Sequence, residues 1–236
     1  MRIIAHRCGP TIYPEQTMAS ARLALKNGAD YVEVDVRYSK DKVIVCSHDE
    51  NAQRVFGVDK LVKDMTAKEF LSLRQIKDTS YAPHLFEDYL KSDIKPLLIH
   101  VKEIDVLDDL LYLLNKYDYL DSIVLGLMNA QAVKKVKEYN SSIKVLAFMP
   151  KVEDIEDFAS AGANYIRLWE DWLCNETVSK VKARSVELWI MTGTYKNHID
   201  SEVGVTTKED LKNILSFSPD GILINDITFL QKVLEK

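Results

Sequence analysis

Apolar residues along the chain gather into short runs of β-type composition or two-residue alternation. They are RIIAH (2–6), YVEVDVR (31–37), VIVCSH (43–48), PLLIHV (96–101), SIVLGL (122–127), IKVLAFM (143–149), ANYIRLW (163–169), VELWIM (186–191) and GILIN (221–225). Between most of them the apolar positions recur every three or four residues, as in TMASARLALKNG (17–28), VLDDLLYLLNKY (106–117), NAQAVKKVKEY (129–139) and VEDIEDFASAG (152–162). That spacing lines one face of a helix. Gly28 and Gly162 stand where a helix hands over to the next segment, and Thr66-Ala-Lys-Glu69 is a capping box. Strand alternating with helix predicts parallel strands joined by right-handed crossovers.

One pair breaks this alternation. Only Tyr38 to Lys42 separate the strands 31–37 and 43–48, whereas a parallel crossover needs about a dozen residues. The two must form an antiparallel hairpin turning at Ser39-Lys40-Asp41-Lys42. Eight parallel strands then remain, and they predict a TIM barrel of α/β class with a hairpin after strand two and chemistry at the C-terminal strand ends. No linker, low-complexity tract or repeat divides the chain, so one domain is expected over residues 1–236, with 49–95 a long excursion over or beside the mouth.

With 236 residues, 47% of them hydrophobic, the chain can bury a full core, and its net charge of −5 is made of interspersed acids and bases. No basic block points to nucleic acid. Three cysteines, Cys8, Cys46 and Cys174, do not make a disulfide framework. The start MRIIAHRCGP lacks the character of a signal peptide, and no run approaches the ~18 apolar residues of a membrane span. A cytoplasmic protein without stable membrane insertion is expected.

Four polar features occupy positions where a barrel would otherwise take Val, Ile or Leu. His6-Arg7 ends strand one, Glu33 and Asp35 share a face of strand two, His48-Asp49 ends the hairpin arm, and His100 and Lys102 share a face of the strand PLLIHVKE. If the hairpin turns near residues 40–41, Glu33 falls opposite His48, with Cβ atoms about 4.5–5.5 Å apart. Two carboxylates buried on one face repel each other, and a divalent cation would relieve them. An internal salt-bridge network with Arg7, Arg37 or Lys102 would relieve them too. Two histidines beside a metal and an arginine suit phosphoryl chemistry: one takes a proton from the nucleophile, the other gives one to the leaving oxygen. Arg7 can grip phosphate with its planar fork, and Lys102 adds a point charge.

IIAHRCGPTIYPEQT, YVEVDVRYSKDKVIVCSHDE and the closing SPDGILIND resemble the glycerophosphodiester phosphodiesterases, with their H-R…P-E-N-T, E-x-D-V…H-D-E, E-x-K and D-G-I-x-T-D elements in this order. The resemblance implies a TIM barrel, one divalent metal and hydrolysis of a small-molecule glycerophosphodiester to glycerol phosphate and an alcohol. On matching positions it implies His6 and His48 as the acid/base pair, Glu33 and Asp35 as metal ligands, and Arg7 as phosphate holder. Glu15 of PEQT sits where the family keeps a glutamate near the site, although a carboxylate favoured at a helix N-terminus explains it equally well. Trp189 matches the tryptophan of the family's W-T-V-N and is expected to contact the substrate.

The sequence departs from that pattern at Cys8, in place of glycine, at Gln16, in place of asparagine, and at Asn225, in place of threonine. The strand-three glutamate, a metal ligand in the family, is His100 here. Three roles are open to His100: a nitrogen ligand beside Glu33 and Asp35, a side chain fallen out of coordination, or a core histidine in a barrel that has lost its metal. A nitrogen ligand would tilt the site from calcium and magnesium toward manganese or zinc. Two rival functions also stand: a phospholipase-D-like lyase that makes a cyclic phosphate from a lysolipid, and an inactive phosphodiester-binding protein. Cys8 fits a small loop residue better than a nucleophile, His84 a turn entering a helix, and His198 a loop after strand seven. Trp169 and Trp172 either line a pocket or cap the barrel.

Overall fold

The computed structural model describes residues 1–193 and 203–235; His198 lies outside them. Nine strands run β1 (Arg2–Ala5), β2 (Tyr31–Tyr38), β3 (Ile44–Cys46), β4 (Leu97–Val101), β5 (Ile123–Leu127), β6 (Lys144–Ala147), β7 (Tyr165–Trp169), β8 (Glu187–Met191) and β9 (Gly221–Ile224). All but β3 form a closed parallel ring, because β1 pairs with both β9 and β2. This is a TIM barrel, with β3 bonded antiparallel to β2 outside the ring.

The helices are α1 (Met18–Lys26), α2 (Gln53–Phe56), α3 (Ala67–Leu71), α4 (Phe86–Leu90), α5 (Leu107–Lys116), α6 (Ala130–Tyr139), α7 (Ile155–Ser160), α8 (Asn175–Lys182), α9 (Lys208–Ser216) and α10 (Ile227–Leu234). Their starts follow from the sequence: Thr17, Asn129, Thr207 and Asp226 each accept a backbone N–H of the first turn. The capping box at α3 has both arms, Glu69 N–H to Thr66 Oγ1 and Thr66 N–H to Glu69 Oε2. Among the described residues no helix is long and apolar enough to cross a membrane.

Alternation along each strand separates two cores. Ile99 and Val101 of β4 pack outward against the helices, whereas Leu98 faces inward with Ile4, Val124, Leu146, Tyr165, Trp189 and Leu223. Residues 49–95 carry α2, α3 and α4 and build a small apolar cluster of their own around Val62, Met65 and Phe70. From there Gln75 Nε2 donates to Glu15 O at 2.9 Å, tying this segment to the loop after β1.

Two sequence expectations change. The hairpin register is one residue longer than expected: Val36 pairs with Cys46, Arg37 with Val45 and Tyr38 with Ile44. Its loop is Lys40-Asp41-Lys42, closed by Ser39 N–H to Val43 O, with Lys42 in the left-handed conformation at φ 60°. Continued, this register sets Glu33 against Asp49 rather than His48, and β3 has already ended at Cys46.

Trp189, expected at the substrate, lies instead toward the N-terminal end of the barrel interior. It stacks on Tyr165, the first residue of β7, at 4.5 Å and leans on Tyr31, the first residue of β2, at 5.8 Å. It is fully buried, and Gly221 beside it has no room for a Cβ, which would lie 2.9 Å from the indole. Trp189 is thus a plug of the barrel floor. Trp189→Phe should lower unfolding free energy by about 1–3 kcal/mol in urea denaturation and leave ligand binding at the mouth unchanged. A selective loss of binding with stability intact would return the indole to the site.

Candidate active site

The inward side chains at the C-terminal ends of the strands surround a cavity of about 240 Å³. One half is charged, with His6, Arg7, Glu33, His48, His100 and Lys102. The other half is apolar, with Met128, Phe148, Met149, Pro150, Trp169, Met191 and Val203, and Arg167 stands among them.

Glu33 and Asp35 are both buried, at 1% and 0% exposure, so each oxygen needs a partner. Each carboxylate commits one oxygen to the scaffold. Glu33 Oε2 accepts the backbone N–H of Arg7 at 2.6 Å, and Asp35 Oδ2 accepts Gln16 Nε2 at 2.6 Å. The remaining oxygens turn toward one ring nitrogen: His100 Nδ1 lies 2.9 Å from Asp35 Oδ1 and 3.7 Å from Glu33 Oε1. Register explains the meeting, since Asp35 pairs with His100 across β2 and β4. The imidazole is held flat by Phe148, stacked on it at 4.0 Å and 17°. Gly126 makes space for that ring, since a Cβ there would lie 2.5 Å from Phe148.

A divalent cation fits these three residues. Their ligand atoms all lie within 4.8 Å of one another. Asp35 Oδ1 is buried without a properly directed hydrogen bond, its nearest cationic neighbour being Lys102 Nζ at 3.4 Å. Burial and the neighbouring Asp35 raise the Glu33 carboxyl. Burial acts to raise Asp35 as well, but Lys102, His48 and His100 override it and hold the group well below the usual range. One carboxylate is thus satisfied as an anion and the other is not, which is the imbalance a cation removes.

The turn after β1 makes the arrangement possible. Arg7, Cys8 and Gly9 are consecutively left-handed at φ 46°, 70° and 71°. This unusual backbone points the Arg7 N–H at Glu33 and sends the guanidinium into the cavity, an example of strain kept at a working site. Cys8 stays out of the cavity: its thiol is buried against Glu33 O and Tyr89 Oη, and burial pushes its pKa up, which disfavours the reactive thiolate.

His48 lies beyond the end of β3 and reaches the site through polar contacts rather than strand pairing. Arg37 grips its carbonyl with Nε and Nη2 at 3.1 and 3.0 Å. Its Nδ1 stands 2.6 Å from Asp49 Oδ1, and its Nε2 3.0 Å from Arg7 Nη2. Burial and the positive charge of Lys102 pull the imidazole down to about 4, against the raising effect of Asp35 and Asp49. His6 Nδ1 lies 2.8 Å from Asn225 Oδ1, and burial with Arg7 beside it holds this ring well below the ordinary value.

Glu15 joins the same network. Arg54 grips it with two bonds of 2.8 and 2.7 Å and also reaches Asp49 Oδ2, while Arg7 Nη1 lies 3.4 Å from Glu15 Oε2. Burial would raise the Glu15 carboxyl, but Arg54 and Arg7 bring it down. Trp169 lines the cavity and Trp172 packs on the outer core. His84 lies two residues before α4, next to its N-cap Leu85.

Sequence reasoning missed four residues of this surround. Arg167 faces inward between Phe148, 5.0 Å from its guanidinium carbon, and Trp169, at 4.3 Å. Strand alternation in ANYIRLW could have found it, as a charge on the core face. Gln16 and Asn225 showed only as departures from a motif. Arg54, on the short helix α2, carried no signal.

The model of the glycerophosphoryl diester phosphodiesterase family matches residues 6–210. A glycerophosphodiester phosphodiesterase of Caldanaerobacter subterraneus is 25% identical over 99% of this chain and 98% of its own length. Among solved structures, an Oleispira antarctica phosphodiesterase bound to its product sn-glycerol-3-phosphate superposes with TM-score 0.83 at 18% identity, covering 100% of this chain and 97% of that one. A Silicibacter pomeroyi structure described as a glycerophosphoryl diester phosphodiesterase gives TM-score 0.83 at 17% identity, over 100% and 93%. The chain belongs to the glycerophosphoryl diester phosphodiesterase family of phosphoric diester hydrolases.

Proposed function

We propose that the protein hydrolyses glycerophosphodiesters to glycerol phosphate and an alcohol, with His6 and His48 as the acid/base pair. The observation that carries this reading is the convergence of both imidazoles and the Arg7 guanidinium on one cavity beside Glu33, Asp35 and His100. The Oleispira relative, solved with sn-glycerol-3-phosphate, supports the same class of product.

Arg7 and Lys102 hold the phosphate, Arg7 turning from His48 Nε2 to the anion as substrate enters. One imidazole, neutral, takes the proton of water or of the substrate's own hydroxyl, and the other, protonated once the phosphate anion is bound beside it, gives that proton to the departing alkoxide. Glu33, Asp35 and His100 would hold the metal, which when bound supplies positive charge to a non-bridging phosphate oxygen or an attacking hydroxyl. Two anionic oxygens with one imidazole nitrogen favour manganese or zinc over calcium. The apolar wall of Phe148, Met149, Trp169 and Met191 faces the alcohol portion. That wall also favours a second reading, in which a lysolipid's own hydroxyl attacks and a cyclic phosphate leaves.

Hydrolysis of glycerophosphocholine and bis(p-nitrophenyl) phosphate should appear with manganese or zinc and vanish on chelation. His6→Ala and His48→Ala should each lower kcat by about 10²–10⁴-fold, and full activity in either variant would sink the scheme. A cyclic product in phosphorus NMR would select the lyase; retained substrate affinity without turnover under any metal would select a binding protein.

His100→Glu restores an all-oxygen ligand set. It should move the activating metal toward calcium and magnesium and weaken zinc affinity by roughly 10–100-fold, as read by metal titration. An unchanged metal ranking would remove His100 from the coordination sphere.

The pH profile follows from the lowered histidines. A base must be neutral, and a lowered pKa keeps it neutral further into acid, so activity falls only as pH drops through that lowered value. The acid limb of kcat/KM, set by the base, should therefore lie below the ordinary histidine value of about 6.5, and a limb at or above it would contradict a base whose charged form is disfavoured by burial.

A further inference from the structure

At the end of β9 the chain places Asn225 among three other segments. Its backbone N–H donates to Gly204 O at 2.8 Å, its side-chain Nδ2 donates to Val203 O at 3.0 Å, and its Oδ1 stands 2.8 Å from His6 Nδ1. Gly204 is in turn tied to the end of β8, its N–H donating to Thr192 O at 2.9 Å. The fit is close: a Cβ at Gly204 would lie 2.2 Å from Asn225 Oδ1 and 2.6 Å from His6 Nδ1, and the residue is left-handed at φ 88°. Only glycine lets the backbone close over this contact, and it keeps the Asn225–His6 pair covered.

The mould decides which way the amide faces. Val203 O can only accept a hydrogen bond, so the atom facing it is the NH2 group. The atom facing His6 is then the amide oxygen, which also only accepts. His6 Nδ1 must therefore carry the hydrogen, and the lone pair of the neutral ring lies on Nε2. A single backbone carbonyl in the loop before α9, acting through one amide, thus sets the tautomer of an imidazole across the mouth. His48 reaches the same tautomer by charge, since the Asp49 carboxylate accepts at Nδ1 and the Arg7 guanidinium donates at Nε2.

We propose that Asn225 is a positioning residue that anchors His6 as its Nδ1–H tautomer and so makes Nε2 the nitrogen that exchanges the proton with the substrate. The amide touches no reacting atom; it acts through the ring alone. A neutral amide suits this task beside Arg7 and the carboxylate pair, because it orients the imidazole without adding a further charge to the cavity. The catalytic part of this assignment rests on the proposed phosphodiesterase reading; the anchoring itself does not.

The test reads the ring directly. Long-range proton–nitrogen NMR of the zinc-loaded protein, with His6 assigned by its loss in His6→Gln, should show a protonated Nδ1 and a pyridine-type Nε2 in the wild type. Asn225→Leu should populate the opposite tautomer and lower kcat by about 10–100-fold, with KM changed less than about twofold. Asn225→Asp keeps an acceptor and should keep the Nδ1–H tautomer and most of kcat. If Asn225→Leu does not fold, Gly204→Ala disturbs the same pair with the amide present and should give the same tautomer shift. A wild-type His6 protonated on Nε2, or an unchanged tautomer in Asn225→Leu or Gly204→Ala whatever happens to kcat, overturns the proposal. The expected tautomers in a protein that turns over no phosphodiester would overturn the functional reading and leave the anchoring in place.

Discussion

Two carboxylates buried side by side on the inner face of β2 set the terms for everything around them. Glu33 and Asp35 repel each other in a place with little water, and a pair left uncompensated there would cost several kcal/mol. The compensation comes from three separate segments. The strained turn after β1 contributes a backbone N–H, the loop before α1 contributes Gln16, and β4 with the residue just past it contributes His100 and Lys102. Even so, one oxygen of Asp35 lacks a well-directed partner, and the free edges of both carboxylates converge on His100. The left-handed backbone at Arg7 is intelligible only against this demand: its cost, of order 1–3 kcal/mol, is met by a short charge-assisted bond in a buried setting.

The same demand organises the cavity's other features. Because β4 offers an imidazole where a third carboxylate would add negative charge, the cluster would balance a divalent ion with two anions and one neutral donor. An imidazole is also a flat ring, and Phe148 stacks on it through the space that Gly126 leaves open. The charged half and the apolar half of the mouth therefore meet at one aromatic contact. On the opposite side Arg54 binds Glu15 and Asp49 together, so the groups orienting Arg7 and His48 share one guanidinium.

Where sequence reasoning fell short, the reasons are physical. The hairpin register slipped by one because the loop closes on three residues with Lys42 left-handed, a conformation that no glycine or asparagine advertised. The pairing of Glu33 with His48 fell with it. Yet His48 still reaches the site, because Arg37 and Asp49 hold it by polar contacts independent of the ladder. Trp189 shares its strand face with Met191, but the barrel interior is stacked in layers, and two residues along β8 separate the floor from the mouth. Gln16, Asn225 and Arg54 escaped because each works through a partner from 19 to 219 residues away, a distance no local pattern encodes.

Period-two alternation, the short gap after Tyr38 and the helical spacings between strands were enough to determine the barrel and its added hairpin, because burial of apolar faces is written locally. The same alternation set Glu33, Asp35, His100 and Lys102 facing inward. What only the tertiary structure decided was their pairing. The register of β2 on β4 brings Asp35 beside His100, and the turn after β1 delivers an N–H to Glu33. The backbone at Val203–Gly204 orients Asn225, and through it His6. Hydrogen-bond direction and charge compensation depend on which atoms meet across the closed barrel, and that information exists only once the chain has folded.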